Sequence, residues 1–390
     1  MFEDFVQFVR DVYCTPDFIP LHEPCFTGNE KKYLLETIDS TFVSSVGAFV
    51  DEFECKIADY TGVDYAVATV SGTTALHTAL LLAGVGQEDE VISQSLTFVA
   101  TCNAIRYCGA TPVFVDVDRR TLGLSPESLA EFLETSCEVR DDGFCWNRES
   151  ENIIRACVPM HTFGFPVYLD EIKQLCDKYN IILVEDAAES LGSYYKKQHT
   201  GTIGTFAVLS FNGNKIMTCG GGGMILTNNK DLAARAKHLT TTAKVPHKWA
   251  FDHDEVGYNY RLPNLNAALG VAQLEQLPVF VKAKRELATQ YQEWGEQHGV
   301  QFVAEPQDTM ANYWLNAIIT KDQKERDTML EISNASNVMT RPAWIPMHML
   351  AMNQNCQKGH LANTEWLYKR LVNVPSSVKG SLQNRGRKTG

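Results

Sequence analysis

Apolar and polar positions repeat along residues 60 to 230 in a pattern that predicts an α/β fold. Short apolar runs, each typical of a buried strand, are separated by stretches with the apolar spacing of helices. Strands are predicted at 65–70, 90–93, 112–115, 153–158, 181–184, 205–209 and 222–227, and helices at 74–82, 98–109, 124–135 and 168–179. Strands that alternate with helices in this way form a mainly parallel sheet with helices on both faces.

The pattern changes after Pro263. Apolar residues then recur at helical spacing and predict one long helix over 265–297, followed by a strand near 314–319 and helices near 323–335 and 361–371. We therefore predict two domains. An N-terminal arm and a large domain occupy residues 1–260, and a connecting helix with a smaller α+β domain occupies 261–390. The polar tail at 383–390 is expected to fray.

Composition narrows the class of protein. The chain has 390 residues, of which 44% are hydrophobic and 21% charged, as in ordinary soluble globular proteins. A formal net charge of −12 argues against a nucleic-acid binder. Eleven cysteines without a CxxC pair indicate free thiols rather than a disulfide framework, and no metal site is predicted. Because neither a secretory leader nor a membrane-length apolar run is apparent, we expect a cytoplasmic protein.

One lysine stands between a polar turn and a glycine run. Lys215 follows the strand at 205–209 and precedes Gly220 to Gly223, which allow the backbone to approach a bound group closely. Upstream, Asp186 ends the apolar strand at 181–184. An amine that forms a Schiff base and a carboxylate that pairs with a pyridine nitrogen are what pyridoxal phosphate requires. Taken singly, a solvated lysine and a turn carboxylate explain the two residues equally well.

Further residues could complete such a site. The hydroxyl-rich turn before the helix at 74–82, with Thr73 and Thr74, offers N–H groups and a positive dipole end to a phosphate, although such turns also serve for capping alone. Ser210 adds a hydroxyl group. Phe98 could stack on a pyridine ring or pack in the core. Glu189 could reach the side of the ring that carries the phenolic oxygen.

Together these motifs resemble the DegT-type (DegT/DnrJ/StrS) sugar aminotransferases, a branch of the fold-type I pyridoxal-phosphate enzymes. The resemblance runs from residue 19 to residue 377. It depends on the segments EDAAE at 185–189, SFNGNK at 210–215, GYNYRL at 257–262 and NAALG at 266–270. It implies an α/β large domain with a mainly parallel seven-stranded sheet between helices and a smaller C-terminal α+β domain.

The resemblance also implies roles for particular residues. Lys215 would form the Schiff base with pyridoxal phosphate and carry the proton, and Asp186 would bind the pyridine nitrogen. Phe98 would stack on the ring. The phosphate would be bound by Thr73, Thr74 and Ser210 and, from the partner subunit, by Asn259. A homodimer with composite sites is therefore expected.

Substrate contacts and two departures from the family pattern complete this interpretation. Candidates for the sugar diphosphate or the donor carboxylate are Lys244, Arg261 and Arg341, although each is typical of surface ion pairs. Many relatives carry Gln or His in place of Glu189, and an ionised carboxylate cannot donate a hydrogen bond to a phenolate. Many also carry an acidic residue within the run that reads Gly220 to Gly223 here.

Several stretches resemble one subgroup, the 4-aminotransferases of the legionaminic-acid pathway. They are PLHEP at 20–24, FVSSVG at 42–47, TTTAK at 240–244, HKW at 247–249 and TRPAW at 340–344. This resemblance implies L-glutamate as the amino donor and a UDP-linked 4-keto-6-deoxy-N-acetylhexosamine as the acceptor. The product would be a UDP-4-amino-4,6-dideoxy-N-acetylhexosamine for nonulosonic acid or surface glycan synthesis.

Some alternative substrates and functions remain open, and others are disfavoured by particular residues. A 3-keto sugar or another C4 epimer stays possible, because either face of a sugar can be presented to one lysine. A pyridoxal-phosphate sugar dehydratase would carry histidine at position 215. Intact Lys215 and Asp186 disfavour a non-catalytic regulator. A nicotinamide-binding Rossmann fingerprint is disfavoured because Gly220 to Gly223 precedes a strand, whereas that fingerprint opens a helix.

Overall fold

The computed structural model describes residues 2–379. Its α-helices are α1 (Phe2–Tyr13), α2 (Glu30–Asp39), α3 (Ala48–Thr61), α4 (Gly72–Leu82), α5 (Val99–Tyr107), α6 (Pro126–Ser136), α7 (Leu169–Lys178), α8 (Lys230–Thr240), α9 (Asn264–His298), α10 (Gln323–Ala335) and α11 (Ala362–Tyr368). Its strands up to the long helix α9 are β1 (Tyr65–Thr69), β2 (Glu90–Gln94), β3 (Thr111–Val115), β4 (Cys137–Val139), β5 (Cys145–Asn147), β6 (Ile154–Val158), β7 (Ile182–Asp186), β8 (Tyr194–Tyr195), β9 (Gln198–His199), β10 (Phe206–Ser210), β11 (Gly223–Thr227), β12 (Lys244–Val245) and β13 (Asp252–His253). The remaining strands are β14 (Gln301–Phe302), β15 (Thr309–Met310), β16 (Asn316–Ile319), β17 (Arg341–Pro342) and β18 (Leu371–Val374).

A seven-stranded sheet lies at the centre of the fold, in the order β1-β11-β10-β7-β6-β2-β3. The strands from β10 to β3 run parallel to one another. Strand β11 runs antiparallel to both of its neighbours, β1 and β10. The predicted α/β class with a mainly parallel seven-stranded sheet is therefore confirmed, and the elements predicted between residues 60 and 300 are present with ends shifted by one or two positions.

Helices cover both faces of this sheet because each strand alternates its side chains between the faces. In β10, Phe206 and Val208 pack in a cluster with α4, α5 and α8. The intervening Ala207 and Leu209 pack in a second cluster with α3 and α9. Since both faces of the strand are buried, its sequence reads as a continuous apolar run.

Strands from residues 301 to 374 form a smaller antiparallel sheet, in the order β14-β16-β18-β17. Helix α1 packs there, because its apolar stripe of Phe5, Val9 and Tyr13 is buried among residues of α9, α10 and this sheet. The apolar pattern of the sequence does not predict helices α1, α2 and α3. The division into domains at residue 260 stays a prediction.

One predicted element was too long. The helix expected over 361–371 ends at Tyr368, and β18 begins at Leu371. Leu371, Val372 and Val374 are fully buried between β16 and β17, a position that suits apolar and β-branched residues. The tail at 383–390 lies outside the described residues. Within residues 2–379 no helix combines the length and the apolar character that a membrane crossing needs.

Candidate active site

A cavity of about 250 Å³ lies at the carboxyl ends of β7 and β10. These ends place Asp186 and Ser210 beside it, and the turn after β10 adds Lys215. Its lining also includes Ser71 and Thr73 from the start of α4 and Phe98 from the start of α5. Ligands of open parallel sheets bind at this edge, so the topology alone marks the cavity as the candidate site.

Asp186 forms a buried, acidic part of the wall. Its Oδ2 accepts a hydrogen bond from Thr101 Oγ1 at 2.7 Å, and its Oδ1 accepts one from the backbone N–H of Ala188 at 3.2 Å. Burial raises the pKa of Asp186 above its ordinary value, although these hydrogen bonds and the nearby Lys215 oppose the shift. A cation placed against this carboxyl would favour its ionised form.

Lys215 reaches the cavity from a closed turn. Its backbone N–H donates to Asn212 O at 3.0 Å, and Cys219 N–H donates to Phe211 O at 3.1 Å. The Lys215 side chain is 11% exposed, and its Nζ lies 3.0 Å from Glu189 Oε1. The Nζ atom also lies 4.2 Å from the ring centre of Trp314. The amine is thus enclosed but still borders the cavity.

The turn before α4 is a capping box. Ser71 Oγ accepts from Thr74 N–H at 3.1 Å, and Thr74 Oγ1 accepts from Ser71 N–H at 3.1 Å. The first N–H groups of α4, at Gly72 and Thr73, have no acceptor within the helix. They can therefore serve an anion, which the helix dipole also favours.

The capping box also involves Thr74, which is predicted to contact a phosphate. In this structure its hydroxyl donates to Ser71 O, and the lining positions on this turn belong to Ser71, Gly72 and Thr73. Thr74 thus holds the turn, and its contact with a phosphate stays a prediction.

The glycine run brings β11 against this turn. A Cβ atom at Gly223 would lie 2.3 Å from the backbone oxygen of Ser71, and one at Gly222 would lie 2.4 Å from Cys219 Sγ. Gly220 has a φ of +83°, in the region that favours glycine. The run therefore allows the close packing of the turn at Lys215 against the turn at Ser71.

Six residues predicted for the site lie outside the cavity lining: Thr74, Glu189, Lys244, Asn259, Arg261 and Arg341. Asn259 is exposed and pairs with Thr241, and Arg341 is exposed and bonds Asn334. Lys244 is exposed with its Nζ above the Phe251 ring. Arg261 forms a backbone bridge with Thr69, and its buried Nε has no hydrogen-bond partner among the described residues.

The structure adds site residues that the sequence interpretation missed. Thr101 holds Asp186, Met160 lines the cavity, and Trp314 covers the Lys215 amine. Only Thr101 carried a local signal, since it lies one helical turn after Phe98. Met160 and Trp314 reach the site through the tertiary fold.

These residues fit pyridoxal phosphate. The buried carboxyl of Asp186 suits a protonated ring nitrogen, and the Lys215 amine suits the aldehyde. Ser210 and the free N–H groups at the start of α4 suit the phosphate. Fold and cavity together thus define a pyridoxal-phosphate-dependent enzyme of the aminotransferase fold.

Comparison with known proteins identifies the family. The sequence profile of the DegT/DnrJ/EryC1/StrS aminotransferase family matches residues 24–384, and the chain belongs to this family. It is a pyridoxal-phosphate-dependent sugar aminotransferase.

Individual relatives span almost the whole chain. The chain is 38% identical over 360 residues to the GDP-perosamine synthase of Escherichia coli O157:H7, covering 92% of this chain and 93% of that protein. It is 36% identical to the GDP-perosamine synthase of Caulobacter vibrioides, covering 85% and 86%. The aminotransferase TlmJ from Streptoalloteichus hindustanus superposes with a TM-score of 0.83 at 27% identity, covering 96% of this chain and 100% of TlmJ.

Proposed function

We propose that this enzyme transfers the amino group of L-glutamate to C4 of a UDP-linked 4-keto-6-deoxy-N-acetylhexosamine. The product would be a UDP-4-amino-4,6-dideoxy-N-acetylhexosamine that serves legionaminic-type nonulosonic acid or surface glycan synthesis. The observation that carries the amino-transfer chemistry is the joint presence of Lys215 and Asp186 in one cavity. The five stretches from 20–24 to 340–344 support the choice of sugar.

The residues of the cavity would hold the cofactor from three sides. Asp186 would accept a hydrogen bond from the ring nitrogen, and Phe98 would cover a face of the ring. The phosphate would be bound by Ser210, by Thr73 and by the N–H groups at the start of α4. When bound, pyridoxal phosphate supplies an electron sink for the carbanion that forms when a Cα–H bond breaks.

Lys215 would move the protons. Its amine would take the Cα proton of L-glutamate, while the electron pair of that bond would pass to the electron sink that the cofactor supplies, so that the donor leaves as 2-oxoglutarate and its amino group stays with the cofactor. In the second half-reaction Lys215 delivers a proton to C4 of the sugar, on the face that the bound sugar presents to Nζ. A lysine serves both steps because its amine can accept and return a proton within one enclosed cavity.

We also propose that the active unit is a homodimer in which Asn259 reaches the partner's phosphate site. Asn259 is exposed and absent from the lining of its own cavity, and it pairs with Thr241, just before the hairpin β12–β13. Exposed apolar side chains occur along this segment, at Trp249, Phe251 and Val256, and on the segment that bonds the start of α9, at Phe42 and Val46. A group of large exposed apolar residues is typical of an association surface.

A second candidate substrate is a GDP-linked 4-keto-6-deoxyhexose. The specific observation that favours it is that relatives at 38% and 36% identity are GDP-perosamine synthases. The residues of the cavity suit both substrates, because the sugar ring and the diphosphate separate the nucleotide from the reacting C4 atom.

A product assay tests the proposal. Purified protein is incubated with L-glutamate and UDP-linked 4-keto, GDP-linked 4-keto or UDP-linked 3-keto sugar, and the amino epimer is resolved by NMR. We expect turnover of the UDP-linked 4-keto sugar. Turnover of the GDP-linked sugar alone would select the second candidate, and turnover of the 3-keto sugar alone would overturn both.

The same assay tests the catalytic lysine. We expect Lys215→Ala to lose at least about a thousandfold in kcat, because it lacks both the Schiff-base amine and the proton carrier. Borohydride should attach the cofactor to the wild-type chain at Lys215. Lys230→Ala, on the exposed start of α8, is the control and should match the wild type. A Lys215→Ala protein that still transaminates would contradict the mechanism.

A further inference from the structure

The Lys215 amine lies between a carboxylate and an indole ring. Glu189 Oε1 is 3.0 Å from Nζ, and the ring centre of Trp314 is 4.2 Å from Nζ. The Glu189 side chain is 1% exposed. A lysine ammonium that contacts a buried carboxylate and an aromatic face is stabilised by both.

Both contacts are held by one closed set of hydrogen bonds. Phe163 N–H donates to Glu189 Oε2 at 2.9 Å, and Asn312 Nδ2 donates to Glu189 O at 2.9 Å. Asn312 Oδ1 accepts from Trp314 N–H at 2.8 Å. Trp314 Nε1 then donates to Asn214 O at 2.7 Å, next to Lys215 in the chain. The carboxylate and the indole are therefore fixed relative to the turn that bears the lysine.

Both side-chain oxygens of Glu189 accept hydrogen bonds in this structure, whereas the Gln or His that many relatives carry at this position could also donate one. From the sequence, Glu189 could reach the side of the cofactor ring that carries the phenolic oxygen, where a hydrogen-bond donor is needed. An ionised carboxylate only accepts hydrogen bonds, and Lys215 and Phe163 supply them here. Its chemistry suits an ammonium rather than a phenolate.

Other charged groups near the pair do not replace Glu189. Asp186 contacts Thr101 and Ala188 instead of Lys215, and His161 pairs with Glu185. The buried ring of His22 has its pKa lowered well below the ordinary value by burial and by nearby lysines. Burial raises the pKa of Glu189 itself, while the charge of Lys215 opposes that shift.

We propose, resting on the amino-transfer function above, that Glu189 is the positioning residue for the proton-carrying amine. When Lys215 takes the Cα proton of the donor, the new ammonium stays paired with Glu189 and covered by Trp314. Within the same half-reaction the ammonium would give this proton up to the cofactor, and in the second half-reaction the amine would take up a proton again before delivering it to C4 of the sugar. Glu189 thus keeps the amine aimed at the cavity each time Nζ becomes charged.

The test measures the bound cofactor's absorbance against pH in three holoenzyme variants. Glu189→Gln removes the charge and keeps the shape, so the absorbance transition should move to lower pH by about 1 unit or more, because the positive nitrogen loses its partner. Glu189→Asp keeps the charge and should retain the wild-type transition even where the rate falls. Asp170→Asn is the control variant. It removes the ion-pair partner of the exposed Lys196 and should retain the wild-type absorbance transition.

A kinetic measurement separates positioning from folding. With Glu189→Gln we expect kcat to fall about 10- to 100-fold while KM for the sugar stays within about twofold, since the carboxylate acts on the moving proton. The role of Glu189 would be overturned if the absorbance transition of Glu189→Gln fell at the same pH as that of the wild type. It would also be overturned if Glu189→Asp shifted the transition as far as Glu189→Gln does. Absence of a Lys215-dependent absorbance in the wild type would instead contradict the proposed function.

Discussion

Lys284 is fully buried in α9 and has no carboxylate partner among the described residues. Its Nζ donates to Trp314 O at 3.1 Å and to Ser376 O at 2.5 Å. Burial lowers the pKa of Lys284 to about 7 from the ordinary 10.5. The lysine therefore joins the long helix to two carbonyl groups of the C-terminal part at the cost of burying an amine.

This burial predicts a pH-dependent stability. Between about pH 7 and 10.5 the unfolded chain holds the Lys284 proton and the folded chain has released it. Stability therefore rises with pH in this window, by at most about 1.4 kcal/mol per unit, and the penalty is complete below it. In urea unfolding at pH 7 and pH 9, Lys284→Met should remove this slope.

The matched control is the preceding lysine on the same helix, Lys282. Lys282 has a side chain that is 79% exposed, so Lys282→Met should keep the wild-type slope. A Lys284→Met protein with the same pH slope as the wild type would show that Lys284 keeps its ordinary titration.

At the scale of residues, the local sequence predicts the positions of Lys215 and Asp186. It does not predict the side chains that contact them from distant parts of the chain. Lys215 and Asp186 follow strands whose apolar runs are visible, so their edge of the sheet could be predicted. Trp314 reaches Lys215 from ninety-nine positions along the chain, and no local pattern reports such a contact. The hydroxyl of Thr74 suits either a phosphate or a cap, and the sequence alone does not show the hydrogen bond that it donates to Ser71 O in the folded turn.

Among the elements, the glycine run gives a sharp prediction. Gly223→Ala would push a Cβ to 2.3 Å from the Ser71 oxygen, which belongs to the backbone and cannot rotate away. We expect a loss of about 2 kcal/mol or more and weaker cofactor binding, measured by thermal unfolding and by absorbance titration. Gly213→Ala meets no atom within 4 Å and should unfold like the wild type. Equal melting temperatures of the two variants would contradict this account.

Helices and strands could be predicted from the sequence where burial imposes a clear apolar pattern. They could not be predicted where contacts with distant parts of the chain decide between helix and strand. Strands of the central sheet are buried on both faces, so their apolar runs were clear. Helix α9 continues through Pro278, an interior position that ordinarily breaks a helix, because its apolar face packs along α2 and α3. Residues 361–371 change from helix to strand at an apolar stretch that suits both states, and only the pairing with β16 decides.

At the scale of the whole molecule, composite sites predict complementation between two inactive variants. Lys215→Ala lacks the amine, and Asn259→Asp would place a charge against the partner's phosphate. If Asn259 acts across the dimer, a mixed dimer holds one site with both residues intact. Unfolding and refolding the two together in equal amounts should then restore about a quarter of wild-type activity by random pairing.

The control is each variant refolded alone, which should remain inactive. A mixture that stays inactive while mixed dimers are shown by mass spectrometry would place Asn259 in the site of its own chain. An Asn259→Asp protein with wild-type activity would remove the residue from the cofactor site altogether.

The position of β11 also bears on how the chain emerges from the ribosome. Strand β1, at residues 65–69, pairs in the central sheet only with β11, at residues 223–227. Helix α1 likewise finds its partners in α9, α10 and β18. The apolar surfaces of β1 and α1 therefore stay without these partners until most of the polypeptide has been synthesised. Such distant pairing slows folding and makes the nascent chain dependent on protection from aggregation.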